Sequence, residues 1–146
     1  MKFRAATRDD VSAIVALLAD DPLGHSREGA SAKVYLTAYD KIAANPAHQL
    51  IVGVTEGRVI ACAQLTILHG LSRGGSVRAL VEAVRVAADL RGQGIGAALM
   101  AECEARARTA GATVLQLTTD KSRVRAHGFY TRLGFEPSHL GMKKAL

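Results

Sequence analysis

Apolar residues fall at helical spacing in some stretches and in strand-like runs in others. Val11, Ile14, Val15 and Leu18 recur three and four apart, as in a helix that buries one face. Thr7 and Asp10 stand ahead of them with the spacing of a capping box in which Asp replaces Glu. Phe3-Arg4-Ala5 predicts a short opening strand, and Asp20-Asp21-Pro22-Leu23-Gly24 predicts the end of the first helix. Residues 25–47 are less regular, with a helix over Ala30–Ala43 stopped by Asn45-Pro46. Leu50–Thr55 and Arg58–Leu68 read as strands joined by Glu56-Gly57, a connection short enough to require an antiparallel hairpin. Gly70–Ser76 reads as a flexible loop and Val77–Val86 as a third, valine-rich strand. A helix over Ile95–Ala110 follows, burying Ile95, Leu99, Cys103 and Ala107 and closed by Gly111. Val114–Thr118 predicts a strand, Arg123–Leu133 a helix, and Gly134-Phe135 opens a last extended segment toward Leu146. The order β-α-α-β-β-β-α-β-α-β predicts one α+β domain over residues 1–146. Its sheet is mixed, mostly antiparallel, and flanked by helices.

Composition narrows the classes. A chain of 146 residues, 49% apolar, can bury a core without disulfide or metal staples. The first ten residues lack the apolar core of a secretion signal, and no window of membrane-spanning length is free of charge. The expectation is a soluble, cytoplasmic protein with no membrane partner. Cys62 and Cys103 are far apart in apolar surroundings, as buried free thiols are. His25, His48, His69 and His139 show no ligand spacing, so no metal site is expected. The net charge of +6 invites a nucleic-acid partner, but the Arg residues are scattered and aromatics make up only 4% of the chain, too few for base stacking. A basic surface that attracts a small polyanion fits as well.

The most informative stretch is Arg91-Gly92-Gln93-Gly94-Ile95-Gly96-Ala97. Three alternate glycines let backbone N–H groups approach a ligand closely. They stand where a helix begins, with unpaired donors and the positive end of the dipole, a combination that binds phosphate or pyrophosphate. A P-loop is excluded because the Gly-Lys-Ser/Thr ending is missing. A dinucleotide site is the rival: Gly92-x-Gly94-x-x-Ala97 meets the relaxed fingerprint, with Asp120 after the next strand. Against it, Ala87–Arg91 is too long for the tight strand-to-helix turn, and the preceding strands are joined by a hairpin rather than by crossover helices.

Arg91-x-x-Gly94-x-Gly96, preceded by Val84-Arg85-Val86 and followed by an amphipathic helix, resembles the acetyl-CoA signature of the GNAT N-acetyltransferase superfamily. Arg123-x-x-Ala126-x-x-Phe129-Tyr130-x-x-Leu133-Gly134-Phe135 resembles its second hallmark, and the likeness runs clearly from Leu80 to Phe135. The resemblance implies acetyl-CoA as co-substrate. The backbone of Val84, Arg85 and Val86 would lie along the pantetheine arm, with the Val86 N–H polarising the thioester carbonyl. Arg91, Gly92, Gln93, Gly94, Ile95, Gly96 and Ala97 would wrap the pyrophosphate. Phe129 and Tyr130 fall in the same binding set, and Tyr130 resembles the general acid that protonates the leaving thiolate. An alkyl ammonium titrates near ~10.4, so a base is needed as well. Glu82, read with the parity of Leu80, Val84 and Val86, is the candidate, a structural ion pair with an Arg being the alternative. Arg123 stands where many members have an Asn that bonds the pantetheine. That contact is therefore open, and with Lys121 and Arg125 it meets the cofactor phosphates in one reading. His127, one turn before Tyr130, is either a proton shuttle or a surface residue.

The expected reaction is direct transfer within a ternary complex. The acceptor enters from the side of residues 20–48 and Gly70–Ser76. Asp20, Asp21 and Glu28 there either attract a cationic amine or belong to a solvated loop. Tyr35 and Tyr39, one turn apart, either line a pocket or pack. A small-molecule primary amine is the first expectation. A protein amine (N-terminus or lysine), an aminoacyl-tRNA, and a non-catalytic acyl-CoA-binding module are the alternatives. Members of the superfamily are often homodimers, and no residue here sets the oligomeric state.

Overall fold

The computed structural model describes residues 1–146. Five strands form one sheet in the order β1-β2-β3-β4-β5: β1 Lys2–Ala5, β2 His48–Thr55, β3 Arg58–Leu68, β4 Val77–Val86 and β5 Ala112–Gln116. Neighbours pair antiparallel except β4 and β5, which run parallel. A parallel pair needs a crossover, and α5 (Ile95–Thr109) supplies it. The remaining helices are α1 Val11–Ala19, α2 Pro22–Arg27, α3 Ala32–Ala43, the four-residue turn α4 Ser72–Gly75, and α6 Val124–Arg132.

The sheet separates two cores. On one face Leu65, Val81 and Ala79 pack on Leu99, Met100, Cys103 and Ala107 of α5, with Phe129, Tyr130 and Phe135 alongside. On the other face Val52, Ile60 and Cys62 pack on Ile14 and Leu17 of α1. The predicted capping box forms ahead of α1. The Thr7 N–H donates to Asp10 Oδ2 at 2.7 Å, and Arg4 holds the same carboxylate at 2.6 Å. Arg4 lowers the Asp10 pKa to about 2. The hairpin also forms, with Glu56 (φ 50°) and Gly57 (φ 78°) both left-handed, as a two-residue turn with the right twist requires. Gly111 (φ 84°) ends α5.

Three expectations need correction. The first helix ends at Ala19 as expected, but residues 22–27 then form an unforeseen helix, α2, with Pro22 as its first residue, where its missing N–H costs nothing. Gly24 there lies against the Leu18 carbonyl, close enough to leave no room for a Cβ. Gly70–Ser76 contains the turn α4, with Arg73 and Gly74 left-handed. Residues 136–146, expected as a further extended element, form no strand, so the sheet ends at β5.

The fourth correction bears on chemistry. Between Cys62–Arg85 and Gln64–Glu82 the β3–β4 register gains one residue on β4, and Ala83 takes up the slack at φ 54°. A bulge reverses strand parity. Before it Val77, Ala79 and Val81 face α5; after it Val84 and Val86 do. Glu82 is therefore on the opposite face from Val84 and Val86, together with Arg85, because their β3 partners Gln64 and Cys62 share that face. Cys62 supports the bulge from beneath, its thiol donating to the Ala83 carbonyl at 3.6 Å.

Candidate active site

The β4–β5 pairing runs only from Val77–Ala112 to Leu80–Gln116. Beyond it β4 continues to Val86 while β5 ends, so the outer edge of Val81–Val86 is unpaired and the sheet opens into a V. The Ala87 N–H bonds Ile60 O at 2.8 Å. Antiparallel strands alternate their bonding sides, so the N–H and C=O of the preceding residue, Val86, turn outward into the V. The Val86 carbonyl accepts from Arg91 Nε at 3.1 Å, as that orientation requires.

The glycine loop closes the end of the V. Gly92 (φ 80°) and Gly94 (φ 81°) are left-handed, and the space where a Cβ would stand is open at both. Gly94 caps α5. The first bond of the helix is from the Ala98 N–H to Gly94 O at 3.0 Å, and the N–H groups of Gly94, Ile95, Gly96 and Ala97 donate to no acceptor in the chain. Four uncommitted donors at the positive end of a fifteen-residue helix form a cradle for an anion such as a pyrophosphate. Gly96 serves a different need: a Cβ there would lie 3.3 Å from Phe129 Cζ, so its absence lets α6 close against α5.

Arg91 does not aim its guanidinium at this cradle. Besides Val86 O it bonds Asp20 O at 2.7 Å, capping the C-terminus of α1 and tying it to the loop. Arg123 is likewise engaged within the protein, 3.3 Å from Asp21 Oδ2. Arg85 reaches the same oxygen at 3.0 Å and also bonds Val84 O at 2.9 Å. Asp21, at the turn from α1 to α2, thus bridges β4 to the N-terminus of α6. Sequence reasoning placed Asp21 only among acidic loop residues, because a pairing between distant segments leaves no local spacing to read.

Tyr130 sits on α6, half-buried, with its ring edge-on to Phe129 and Phe135 at centroid distances of 5.1 and 5.8 Å. Its hydroxyl makes no hydrogen bond within the chain. Burial raises its pKa, opposed by the charges of Arg123 and Arg85, so the phenol is protonated at neutral pH. Glu82 is exposed and has no cation within 4.0 Å, so the ion pair considered for it is not made. His127 gives a ring nitrogen to the Asp120 carbonyl at 2.8 Å and helps fix the β5–α6 connection. Tyr35 bonds Glu28, and Tyr39 donates to Ala6 O at 3.1 Å. Tyr35 also lines a cavity of 360 Å³ between α1 and α3, well apart from the glycine loop. No group of three or more His, Cys, Asp or Glu side chains is arranged to hold a metal, and no helix is long and apolar enough to cross a membrane.

An opened parallel pair, an amide cradle and a half-buried phenol together suit a thioester carried on a long phosphorylated arm. Comparison with known proteins agrees. The Acetyltransferase (GNAT) family profile matches residues 12–135. An aminoalkylphosphonate N-acetyltransferase from Salmonella typhimurium strain LT2 is 32% identical, over 99% of this chain and 91% of that protein. Among solved structures, one described as a transcriptional regulator from Bacillus halodurans C-125 superposes with a TM-score of 0.95 at 38% identity, covering 99% of both chains. An acetyltransferase from Trypanosoma brucei superposes at 0.81 with 25% identity, covering 99% of both. With most of its length matched and the fold shared throughout, the chain belongs to the GNAT family of acetyltransferases.

Proposed function

We propose that this N-acetyltransferase moves an acetyl group from acetyl-CoA to a small-molecule primary amine by direct attack in a ternary complex. The observation that carries the reading is the unpaired edge of β4 running into the amide cradle at α5, with Tyr130 beside it. The Gly94–Ala97 amides would hold the pyrophosphate, and the outward backbone groups of Val84 and Val86, on either side of Arg85, would hold the pantetheine arm. Acetyl-CoA supplies the activated acyl carbon. The Val86 N–H stabilises the oxygen on which charge develops during transfer. The amine loses a proton to Glu82, directly or through water. Its nitrogen bonds the acyl carbon, the C–S bond breaks, Tyr130 gives its proton to the departing sulfur, and the second proton leaving the nitrogen as the amide forms restores the phenol, directly or through water. Because burial holds the phenol protonated, Tyr130 is charged with that proton before each cycle. Glu82 lies on the face opposite the α5 core, so the acceptor reaches the V from the side of α1 and α2. A small amine is favoured because the 32% identical Salmonella relative is named for one.

The test is calorimetric titration of acetyl-CoA into the native chain and into Gly94→Glu, followed by steady-state kinetics of Tyr130→Phe. Binding lost in Gly94→Glu, and kcat lowered about 100-fold in Tyr130→Phe at unchanged stability, are the expected results. A Tyr130→Phe enzyme with native kcat removes Tyr130 from the chemistry.

A further inference from the structure

Asp21 joins three elements that lie far apart along the chain. It stands immediately before α2, and its Oδ2 lies 3.0 Å from Arg85 on β4 and 3.3 Å from Arg123 at the head of α6. The side chains of Asp21, Arg85 and Arg123 are 9%, 14% and 33% exposed, so water screens the cluster only in part. Of the polar side chains on α6, Thr131 bonds within the helix and His127 bonds the loop just before it. Only Arg123, at the N-terminus, reaches another element. Tyr130 follows Arg123 by seven residues, about two turns, and so shares its side of the helix. Helical side chains lean toward the N-terminus, which brings the phenol toward that cation. Burial raises the Tyr130 pKa, while Arg123 and then Arg85 lower it. The remaining ionisable group that acts on it is Cys103 of α5, a thiol that burial pushes up to about 12 and so keeps neutral. Asp21 is the carboxylate paired with both cations.

We infer that Asp21 is a positioning residue for Tyr130: by holding Arg85 and Arg123 together it fixes α6 against the open edge of β4 and offsets one of the two cations that the phenol faces. This rests on the acid role proposed above for Tyr130. An acid that protonates a departing thiolate must keep its proton until the C–S bond breaks, and two unpaired guanidiniums favour the phenolate before that point. The rival is an ion pair that only stabilises the fold. Charge and looseness differ in sign. If charge governs, removing the anion makes the phenol more acidic and removing a cation makes it less so. If the pair only fastens α6, losing either partner wets the phenol and makes it more acidic in both cases.

The test labels the protein with 3-fluorotyrosine, whose more acidic phenol titrates where the fold persists, and follows the three tyrosine signals by fluorine NMR without cofactor. Tyr130→Phe assigns the signal of interest. The expected result is titration at lower pH in Asp21→Asn and at higher pH in Arg123→Gln, with Arg123→Lys close to the native chain. Shifts of one sign in Asp21→Asn and Arg123→Gln, or no shift in either, overturn the inference. Arg123 is one-third exposed, so its replacement should leave the fold intact. Should Asp21→Asn unfold, the Arg123 variants decide: a rise in Arg123→Gln that Arg123→Lys cancels supports the inference, and its absence overturns it. Kinetics give a second readout. Asp21→Asn should lower kcat about tenfold with the acetyl-CoA KM within about threefold, and should add nothing to the loss already present in Tyr130→Phe. A further loss of equal size in that background shows a structural role and overturns the inference. If Tyr130→Phe keeps native kcat, the acid reading falls by itself, since the cofactor-free titration still upholds or overturns the action of Asp21 on Tyr130.

Discussion

Replacing Asp21 by Asn keeps the volume of the side chain and removes the one negative charge between Arg85 and Arg123. With an effective dielectric near 20, contacts of 3.0 and 3.3 Å correspond to about 5 kcal/mol of attraction each, while mutual repulsion of the guanidiniums at roughly 6 Å returns about 3. Desolvation offsets much of the remainder, and breaking such a pair typically costs about 3–5 kcal/mol. Arg123 is one-third exposed and Arg85 keeps its bond to Val84 O, so the low end, about 3 kcal/mol, is expected. With a urea slope of about 2 kcal/mol/M, the unfolding midpoint should fall by about 1.5 M. The double variant Asp21→Asn/Arg123→Gln removes one of the two stranded cations and should recover about 1 kcal/mol relative to additivity. Equilibrium urea unfolding, followed by far-UV circular dichroism, measures both quantities. A midpoint shift below about 0.5 M, or strict additivity in the double variant, would refute the view that this cluster is held together by charge.

Three further outcomes follow from other parts of the fold. The Asp10 carboxyl is depressed from 3.8 to about 2, chiefly by Arg4, so its contribution is present above pH 4 and is lost as pH falls toward 2. Allowing for the partial exposure of Arg4, this is worth about 1–2 kcal/mol, and urea unfolding at stepped pH should show an acid slope that Asp10→Asn flattens. Burial pushes the Cys62 and Cys103 thiols up to about 12, so neither should react with an aromatic disulfide reagent at pH 8 until urea unfolds the chain. Prompt reaction of the native protein would contradict their placement. In Gly96→Ala the new methyl presses on Phe129 at 3.3 Å while Ala favours the helix by about 1 kcal/mol. The melting temperature should therefore change little while acetyl-CoA affinity falls, and unchanged affinity would show that Phe129 does not shape the cradle.

Much of this molecule could be read in advance where chemistry is local. Alternate glycines at Gly92, Gly94 and Gly96 announce a helix start with open amides, and α5 begins there; the left-handed backbone at Gly92 and Gly94 and the Phe129 contact at Gly96 are what the structure adds. Glu56-Gly57 fixes a hairpin because so few backbone conformations close a two-residue turn. Pro22 was ambiguous, since the same ring that ends one helix is well placed to start another. Residues 136–146 carry Pro137 and Gly141, which weaken any strand, and a run of exposed apolar and basic residues does not by itself pair with a sheet. The union of Asp21, Arg85 and Arg123 was beyond reach, because three segments far apart in the chain meet only once the sheet has formed.

The bulge at Ala83 is the step that one sequence hides most effectively. Val-Glu-Ala-Val-Arg-Val alternates without a glycine or asparagine to mark a left-handed residue, and uninterrupted parity would place Glu82 beside Val84 and Val86 in the α5 core. A carboxylate there would have no partner and would be neutralised or expelled. The extra residue costs about 1–2 kcal/mol in left-handed strain at a non-glycine position. In return the strand sorts its side chains at one point: its valines pass to the α5 face and anchor the core, while Glu82 and Arg85 share the opposite face with Cys62. The same added residue increases local twist where pairing with β5 ends, which is where the V opens. Left-handed strain at Ala83 and the sorting of charged from apolar side chains are therefore consequences of a single register shift.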